Sequence, residues 1–580
     1  MNTSNTEPEM ATVEWKNIDW QKLERRVFKL QKRIYQASQR GDVHAIRRLQ
    51  KTLMKSWSAK ALAVRRVTQD NQGKKTAGVD GVKSLTPKQR LELVDQLRIN
   101  RKAKPVRRVW IDKPGKTEKR PLGIPTMYDR ATQALAKTAL EPEWEAKFES
   151  NSYGFRPGRS CHDAIAQIFN AIKYKPKYVL DADIAKCFDK INHEALLNKI
   201  NTFPTMRRLI KSWLKAGVVD WSGYANRNKG TTSPTLEGTP QGGVISPLLA
   251  NIALHGMENR LKQFAETLPG RKQQNRRALA VIRYADDFVI LHEDLAIINK
   301  CRQLVSEWLN GMGLELKPSK TRLSHTLVEY EGAVGFDFLG FTIRQTPVGK
   351  HRTGHNPQGI PLGYKTIITP SLEKQKVHTD RIGAIIQQHK DAPKASLIAR
   401  LNPVIRGWSN YYAPVVCKRI FQSVDHITFQ QLMGWANHRH RTKTDALNNW
   451  KSIKSRKWVF TTNEGLELID HADTPKVEYT KVQGEKSPYD GDWVYWSTRR
   501  GQYPGTPKQL TELLKKQKGK CSHCGLYFNT DSLLETHHVD GNHNNNRRTN
   551  LTVVHRHCHD KLHATREQVL DEEWIDAHPF

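Results

Sequence analysis

Apolar positions recur along the chain with two periods, and each period predicts its own kind of element. From Trp20 the residues Trp20, Leu23, Val27, Leu30 and Ile34 return every three or four positions, so an amphipathic helix is expected. A second helix runs through Ile46, Leu49 and Leu53. Lys and Arg crowd the other faces of both. Val106 to Ile111 alternates apolar and basic side chains and reads as a strand. It leads through Lys113-Pro114-Gly115-Lys116 into Lys119-Arg120-Pro121-Leu122-Gly123-Ile124-Pro125, a tight hairpin carrying cations. A helix is expected over residues 129–148 with Asp129 as its N-cap, followed by Ser152 to Ser160 (SYGFRPGRS), a loop of aromatics, glycines and arginines. Tyr178 to Ile184 reads as a strand ending in acids, with Asp181 and Asp183 on one face, and Asn192 caps the next helix. Further helices follow residues 239–247 and span residues 297–309.

The densest apolar run is Ala278 to Leu291, interrupted only by Arg283, Asp286 and Asp287. A run of this length reads as two short buried strands joined by a tight turn at Tyr284-Ala285-Asp286-Asp287. Adjacent carboxylates at an apolar tip repel each other and lose water unless a cation compensates them. Mg²⁺, a hard ion that takes carboxylate oxygens together with substrate phosphates, suits that position. On these four residues alone, an exposed Asp-Asp turn with no metal is an equal reading.

Further on, Phe336 to Phe341 predicts a strand and turn, and the Gly/Pro-rich residues 345–363 read as a boundary. Residues 371–445 turn helical again, with Leu397, Leu401, Ile405 and Trp408 on one stripe. Residues 446–505 are polar, tryptophan-containing and poorly periodic, and read as a weakly structured basic module. The whole is an α+β multidomain chain. Its expected units are a basic helical extension (1–80), a mixed region (81–365), a helical domain (366–445), a polar region (446–505) and a Cys/His-rich module (506–580).

Charge narrows the partners. Lys and Arg number 94 against 58 acids, a formal net charge of +36 spread along the chain, which favours a polyanion through counterion release. No segment is long and apolar enough to span a membrane, and MNTSNTEPEM lacks the apolar stretch of a signal peptide. A cytoplasmic protein with no membrane partner, nucleoid-associated when bound to DNA, is expected. Cys161, Cys187, Cys301 and Cys417 are isolated and read as reduced core thiols, whereas Cys521, Cys524 and Cys558 cluster among histidines in a metal-binding pattern. Asp183, Asp286 and Asp287 together suit a two-metal centre. Such a centre holds two ions roughly 3.5–4 Å apart, activating a primer 3′-hydroxyl and stabilising the leaving pyrophosphate.

These segments, in this order, resemble a group II intron-encoded protein, a reverse transcriptase and maturase, over essentially the whole chain. Residues 119–125 and 152–160 resemble the family's fingers motifs. Asp183-Ile184-Ala185-Lys186-Cys187-Phe188-Asp189 resembles its first catalytic motif, Pro240-Gln241-Gly242 its template and nucleotide contact, and residues 284–287 its catalytic turn. The resemblance implies a right-hand polymerase with fingers, palm and helical thumb, in which Asp183, Asp286 and Asp287 bind two Mg²⁺. Phe188 then falls where the family excludes a 2′-hydroxyl, although it also reads as a packed core aromatic. Arg120 and Lys113 would contact the triphosphate of a dNTP, Gln241 would line its pocket, and Lys320 would protonate pyrophosphate. Asp181 is left as a surface or outer acid. The helical domain would bind group II intron RNA and assist its splicing. Alternatives are a maturase with a vestigial polymerase, a reverse transcriptase recruited to another role such as defence, and an RNA-templated RNA polymerase.

At the C-terminal end, Cys521-x-x-Cys524 and His555-x-x-Cys558 have the spacing of a tetrahedral structural Zn²⁺ site, with His523 or His557 as competing ligands. The family class usually has Cys where His555 stands. His537-His538, Asn550, His559 and His563 resemble an HNH endonuclease, a ββα-metal arrangement. That resemblance implies His538 as general base and Asn550 as the residue orienting water. His537, His559 and His563 would hold Mg²⁺ or another divalent ion. A purely structural zinc finger that binds DNA is the alternative. The combined expectation is a single process: target DNA, held by residues 446–505, is nicked, and the new 3′ end primes copying of the bound RNA.

Overall fold

The computed structural model describes residues 14–112, 118–220, 231–453, 456–530 and 532–563. Helices Trp20–Gln39, Val43–Lys55 and Trp57–Arg65 form where the three-four spacing places them. They pack on the helix Met127–Glu145, almost all of whose residues are buried. That helix begins earlier than its sequence suggests. Thr126 is the N-cap, accepting from the Asp129 backbone nitrogen at 3.1 Å and donating to Asp129 Oδ2 at 2.7 Å. Asp129 therefore sits in the first turn and is not the cap.

At the centre lies an antiparallel sheet in the order 280–284, 287–292, 178–183, 322–325. Its alternate residues enter two different cores. Leu180, Ala182, Phe288 and Ile290 face the helical core that contains the N-terminal helices. Val179, Ile282, Val289 and Leu291 face a second core with Phe338, Phe341 and Phe421. Burial on both faces explains why these strands are apolar throughout rather than alternating. The basic hairpin Val106–Asp112 and Lys119–Ile124 pairs as expected, with Arg120 opposite Ile111, and joins strands 218–220 and 231–233 in a second sheet. Residues 113–117 lie outside the described residues, so Lys113 has no described place.

Residues 345–363, read as a boundary, precede the helices that begin at Leu372. Phe341–Pro347 pairs antiparallel with Tyr364–Pro370, so this Gly/Pro-rich stretch covers the end of one strand and the connection of a hairpin. Helices Leu372–Gln388, Lys394–Tyr412 and Lys418–Arg439 follow and enclose their own core, to which Leu397, Leu401 and Ile405 contribute.

Residues 446–505 are irregular but firmly placed, which corrects the expectation of weak structure. Val482 and Trp496 belong to the second core of the central sheet. Asp163, fully buried on the helix Cys161–Ile172, receives Arg499 Nη2 at 2.6 Å and the Val482 backbone nitrogen at 2.7 Å. Tyr489 donates to Glu141 at 2.9 Å, and the Trp493 ring lies between Phe28 and Tyr527. Beyond it, strands Leu534–His538 and Leu551–His555 form a hairpin followed by helical residues 556–563. This module touches the N-terminal helices, where Gln21 donates to the Cys524 carbonyl at 2.5 Å and Arg65 Nη2 meets His557 Nδ1 at 3.0 Å. Among the described residues no helix is long and apolar enough to cross a membrane.

Because Arg499 and Asp163 are both desolvated, removing one partner leaves a buried charge. Arg499→Met is expected to destabilise the chain by about 3–5 kcal/mol, read as a lower urea midpoint. Asp163→Asn combined with Arg499→Met should recover part of that loss.

Candidate functional site

Two apolar strands meet at the acidic turn, and the ladder sets its geometry. Asp183 lies directly opposite Asp287 on neighbouring strands, and Asp286 occupies the turn beside them. Burial pushes the Asp287 carboxyl up to about 7, reinforced by the charges of Asp286 and Asp183. Burial raises Asp286 as well, with Asp183 adding to it and Lys320 and Arg120 opposing it. Asp181 is not a surface acid: burial and the charge of Asp287 lift it to about 7. Lys320 Nζ donates to Asp183 Oδ2 at 2.6 Å. Among the described residues, the two groups whose His, Cys or acid ligand atoms lie mutually within 4.8 Å are in the C-terminal module. The three aspartates are therefore adjacent, with their carboxylates spread more widely than in those two groups. Their hard oxygen donors and mutual repulsion suit divalent cations.

The turn is held from beneath by residues that the sequence did not assign to it. Ala285 has the left-handed φ of 59°, costly for a side chain with a Cβ. Arg283, buried behind it, donates from Nη1 to the Ala285 carbonyl at 3.1 Å and to Asn251 Oδ1 at 3.2 Å. Asn251 Nδ2 in turn donates to the Gly154 carbonyl at 2.8 Å. Gly154 presses on the turn so closely that an added Cβ would collide with the Ala285 nitrogen. The one visible sequence signal was Arg283, a lone cation inside the apolar run.

Phe188, Gln241 and Arg120 are the residues expected on the nucleotide side. Phe188 is partly buried against the helical core, so its packing role is real, and part of its surface stays exposed. Gln241 Nε2 donates to both Asp189 carboxylate oxygens at 3.2 Å, and its carbonyl accepts from Gly123 of the basic hairpin at 2.6 Å. Gly242, at φ 114°, allows that approach. Arg120 is exposed on the same hairpin, and its charge reaches Asp286.

In the C-terminal module Cys521, Cys524, His555 and Cys558 converge with ligand atoms mutually within 4.8 Å, and His555 Nδ1 lies 3.4 Å from Cys524 Sγ. Three soft thiolates and one imidazole in a buried cluster fit a tetrahedral Zn²⁺. His557 lies outside the cluster, with its Nδ1 at 3.0 Å from Arg65 Nη2. His523 is not part of the cluster. His537, His559 and His563 form the second group. His559 Nδ1 meets Glu535 Oε2 at 2.9 Å, leaving Nε2 turned toward His563 Nε2 at 3.2 Å. A carboxylate on one ring nitrogen fixes the other as a ligand, so this group fits a divalent ion. Glu535, also bonded to Arg556 at 2.6 Å, was not anticipated. His538 Nε2 lies 3.3 Å from Asn546 Oδ1. Asn550, expected to orient water, is held within its own loop. Its Nδ2 donates to Asp540 Oδ1 and to the Asn545 carbonyl, both at 2.8 Å, and its Oδ1 accepts from the Asp540 nitrogen at 2.9 Å. That side chain braces the loop between the two strands.

A carboxyl raised in the folded state binds protons that the unfolded chain has released, so stability falls as pH rises from about 4 through 7. Without divalent ions, Asp287→Asn should therefore melt higher than wild type at pH 8. The gap should shrink toward pH 4, as read by calorimetry.

Three family models match the chain. "N-terminal domain of reverse transcriptase" covers residues 15–97, "Reverse transcriptase (RNA-dependent DNA polymerase)" 111–343, and "Group II intron, maturase-specific domain" 375–458. None of the three reaches the Cys/His module. Protein YkfC of Escherichia coli (strain K12) is 32% identical over 364 residues, 55% of this chain and 90% of that one. Group II intron-encoded protein LtrA of Lactococcus lactis subsp. cremoris is 30% identical over 381 residues, 53% of this chain and 60% of LtrA. A putative COX1/OXI3 intron 1 protein of Saccharomyces cerevisiae is 26% identical over 518 residues, 76% of this chain and 58% of that protein. The chain thus spans only part of the intron-encoded relatives' length. With reverse transcriptase and maturase domains in succession around an acidic turn, it belongs to the group II intron-encoded protein family.

Proposed function

We propose that the chain is an RNA-directed DNA polymerase, a maturase for a group II intron RNA and an HNH endonuclease, acting together on target DNA in the cytoplasm during intron mobility. The observation that carries the polymerase reading is the register of Asp183 against Asp287 with Asp286 at the turn. Asp183, Asp286 and Asp287 would hold two Mg²⁺, which supply activation of the primer 3′-hydroxyl and charge neutralisation at the leaving pyrophosphate. Arg120 approaches the triphosphate as a bidentate cation, with Lys113 as its expected companion. Phe188 blocks a 2′-hydroxyl, Gln241 lines the pocket, and Lys320 leaves Asp183 to protonate pyrophosphate. Its salt bridge to Asp183 supports that role, since it holds an ammonium beside the reacting groups.

We assign the fingers and palm to the region up to Pro370 and the thumb to the helices from Leu372, whose basic faces would bind intron RNA. Residues 446–505 would hold target DNA. In the C-terminal module, Zn²⁺ at Cys521, Cys524, His555 and Cys558 would be structural. His537, His559 and His563 would hold the divalent ion of a nuclease with His538 as its base. The ββα order of strands and helix supports this reading over a zinc finger alone, which would leave the second histidine group without use.

Asp286→Ala should abolish dNTP incorporation on an RNA template while leaving intron RNA binding intact. Equal primer extension by both proteins would sink the polymerase reading. His538→Ala should lose DNA nicking by about 10²–10⁴-fold and retain primer extension. A variant that still nicks at the wild-type rate would leave a structural zinc finger as the better account.

A further inference from the structure

Phe155 combines features that a surface side chain rarely carries together. It is 48% exposed, and its backbone takes the left-handed φ of 59°. Both the exposed ring and the backbone conformation are unfavourable by themselves. They persist because the residues on either side are pinned. Gly154 is wedged against the Ala285 backbone and bonded through its carbonyl to Asn251. Arg156 is buried, pairing with Glu145 through Nε at 2.8 Å and donating from Nη1 to the Glu149 and Ser152 carbonyls, each at 2.8 Å. Phe155 is therefore a rigid projection from the loop that braces the catalytic turn.

That projection ends against Phe188. The two rings meet edge to face, with centroids 6.0 Å apart and planes at 78°. Phe188 is fixed on its backbone side, where its carbonyl accepts from Thr239 at 2.5 Å, and on its inner side by the helical core. Phe155 adds a contact to that ring from outside the helical core. We propose that Phe155 is a positioning residue for sugar selection, holding the Phe188 ring in the orientation that rejects a ribonucleotide. The inference rests on the polymerase reading above and deepens it. It predicts that discrimination depends on the pair of rings, so that Phe188 alone is a weaker barrier.

The test uses the full chain in single-nucleotide insertion on an RNA template with a DNA primer, comparing kcat/KM for a dNTP and the matching NTP. Phe155→Ala should lower the dNTP-over-NTP ratio roughly three- to tenfold, the worth of one aromatic pair, chiefly by admitting the NTP. Phe155→Tyr, which keeps the ring, should retain the wild-type ratio. In a Phe188→Ala background, Phe155→Ala should cause no further loss. An unchanged ratio in Phe155→Ala overturns the proposal, as do losses that multiply in the double variant. A fall in both incorporation rates with the ratio preserved would assign Phe155 to loop stability alone and also overturn it. A wild-type chain that incorporates no dNTP would instead refute the polymerase reading itself.

Discussion

The constraint on which the rest of the structure depends is the desolvation of three aspartates at the end of the two inner strands of a sheet buried on both faces. Asp183 and Asp287 face each other across a ladder that is mostly Val, Leu, Ile, Ala and Phe, with Asp181 adding a further carboxylate to the same strand. Burial and mutual repulsion make them costly as anions. Lys320 offsets part of that charge, and cations with open coordination positions would offset the rest. The bracing by Arg283, Asn251 and Gly154 follows from the same constraint, because a turn that carries this electrostatic load needs support through its backbone.

The Cys/His module obeys a different rule. Its Cys and His residues make a closed, soft ligand set beside a more open imidazole group, with Glu535 orienting His559. The module does not hang free. Gln21, Arg65 and the Trp493 stack tie it to the same N-terminal helices that share a core with the central sheet. Residues 479–503 wrap the loop and helix around Asp163, so the chain linking the two centres is itself part of the central sheet's second core.

Local periodicity made much of this legible. The apolar run with two acids gave away the hairpin, and the Cys-x-x-Cys and His-x-x-Cys spacings gave away the metal cluster. What stayed hidden was long-range or ambiguous in residue type. Arg499 finds Asp163 across 336 positions, and nothing near Arg499 announces a buried partner. A Gly/Pro-rich stretch looks alike in a linker and in the connection of Phe341–Pro347 to Tyr364–Pro370. Asp129 can serve as a cap or as a first-turn acid, and only the neighbouring Thr126 decides. Asn550 carries the same amide whether it orients water or closes a loop. Phe155 looked like any loop aromatic until its backbone and its contact with Phe188 were known.

The central claim is that the acidic turn is a divalent metal site whose ligands must lose protons to bind. Calorimetric titration with Mn²⁺ between pH 6 and pH 8 tests it most directly, using a chain carrying His559→Ala so that the second site is silent. Binding should strengthen with pH, release protons near neutrality, and disappear when Asp286→Ala is added. Equal Mn²⁺ binding with and without Asp286→Ala, or binding indifferent to pH across that range, would contradict it.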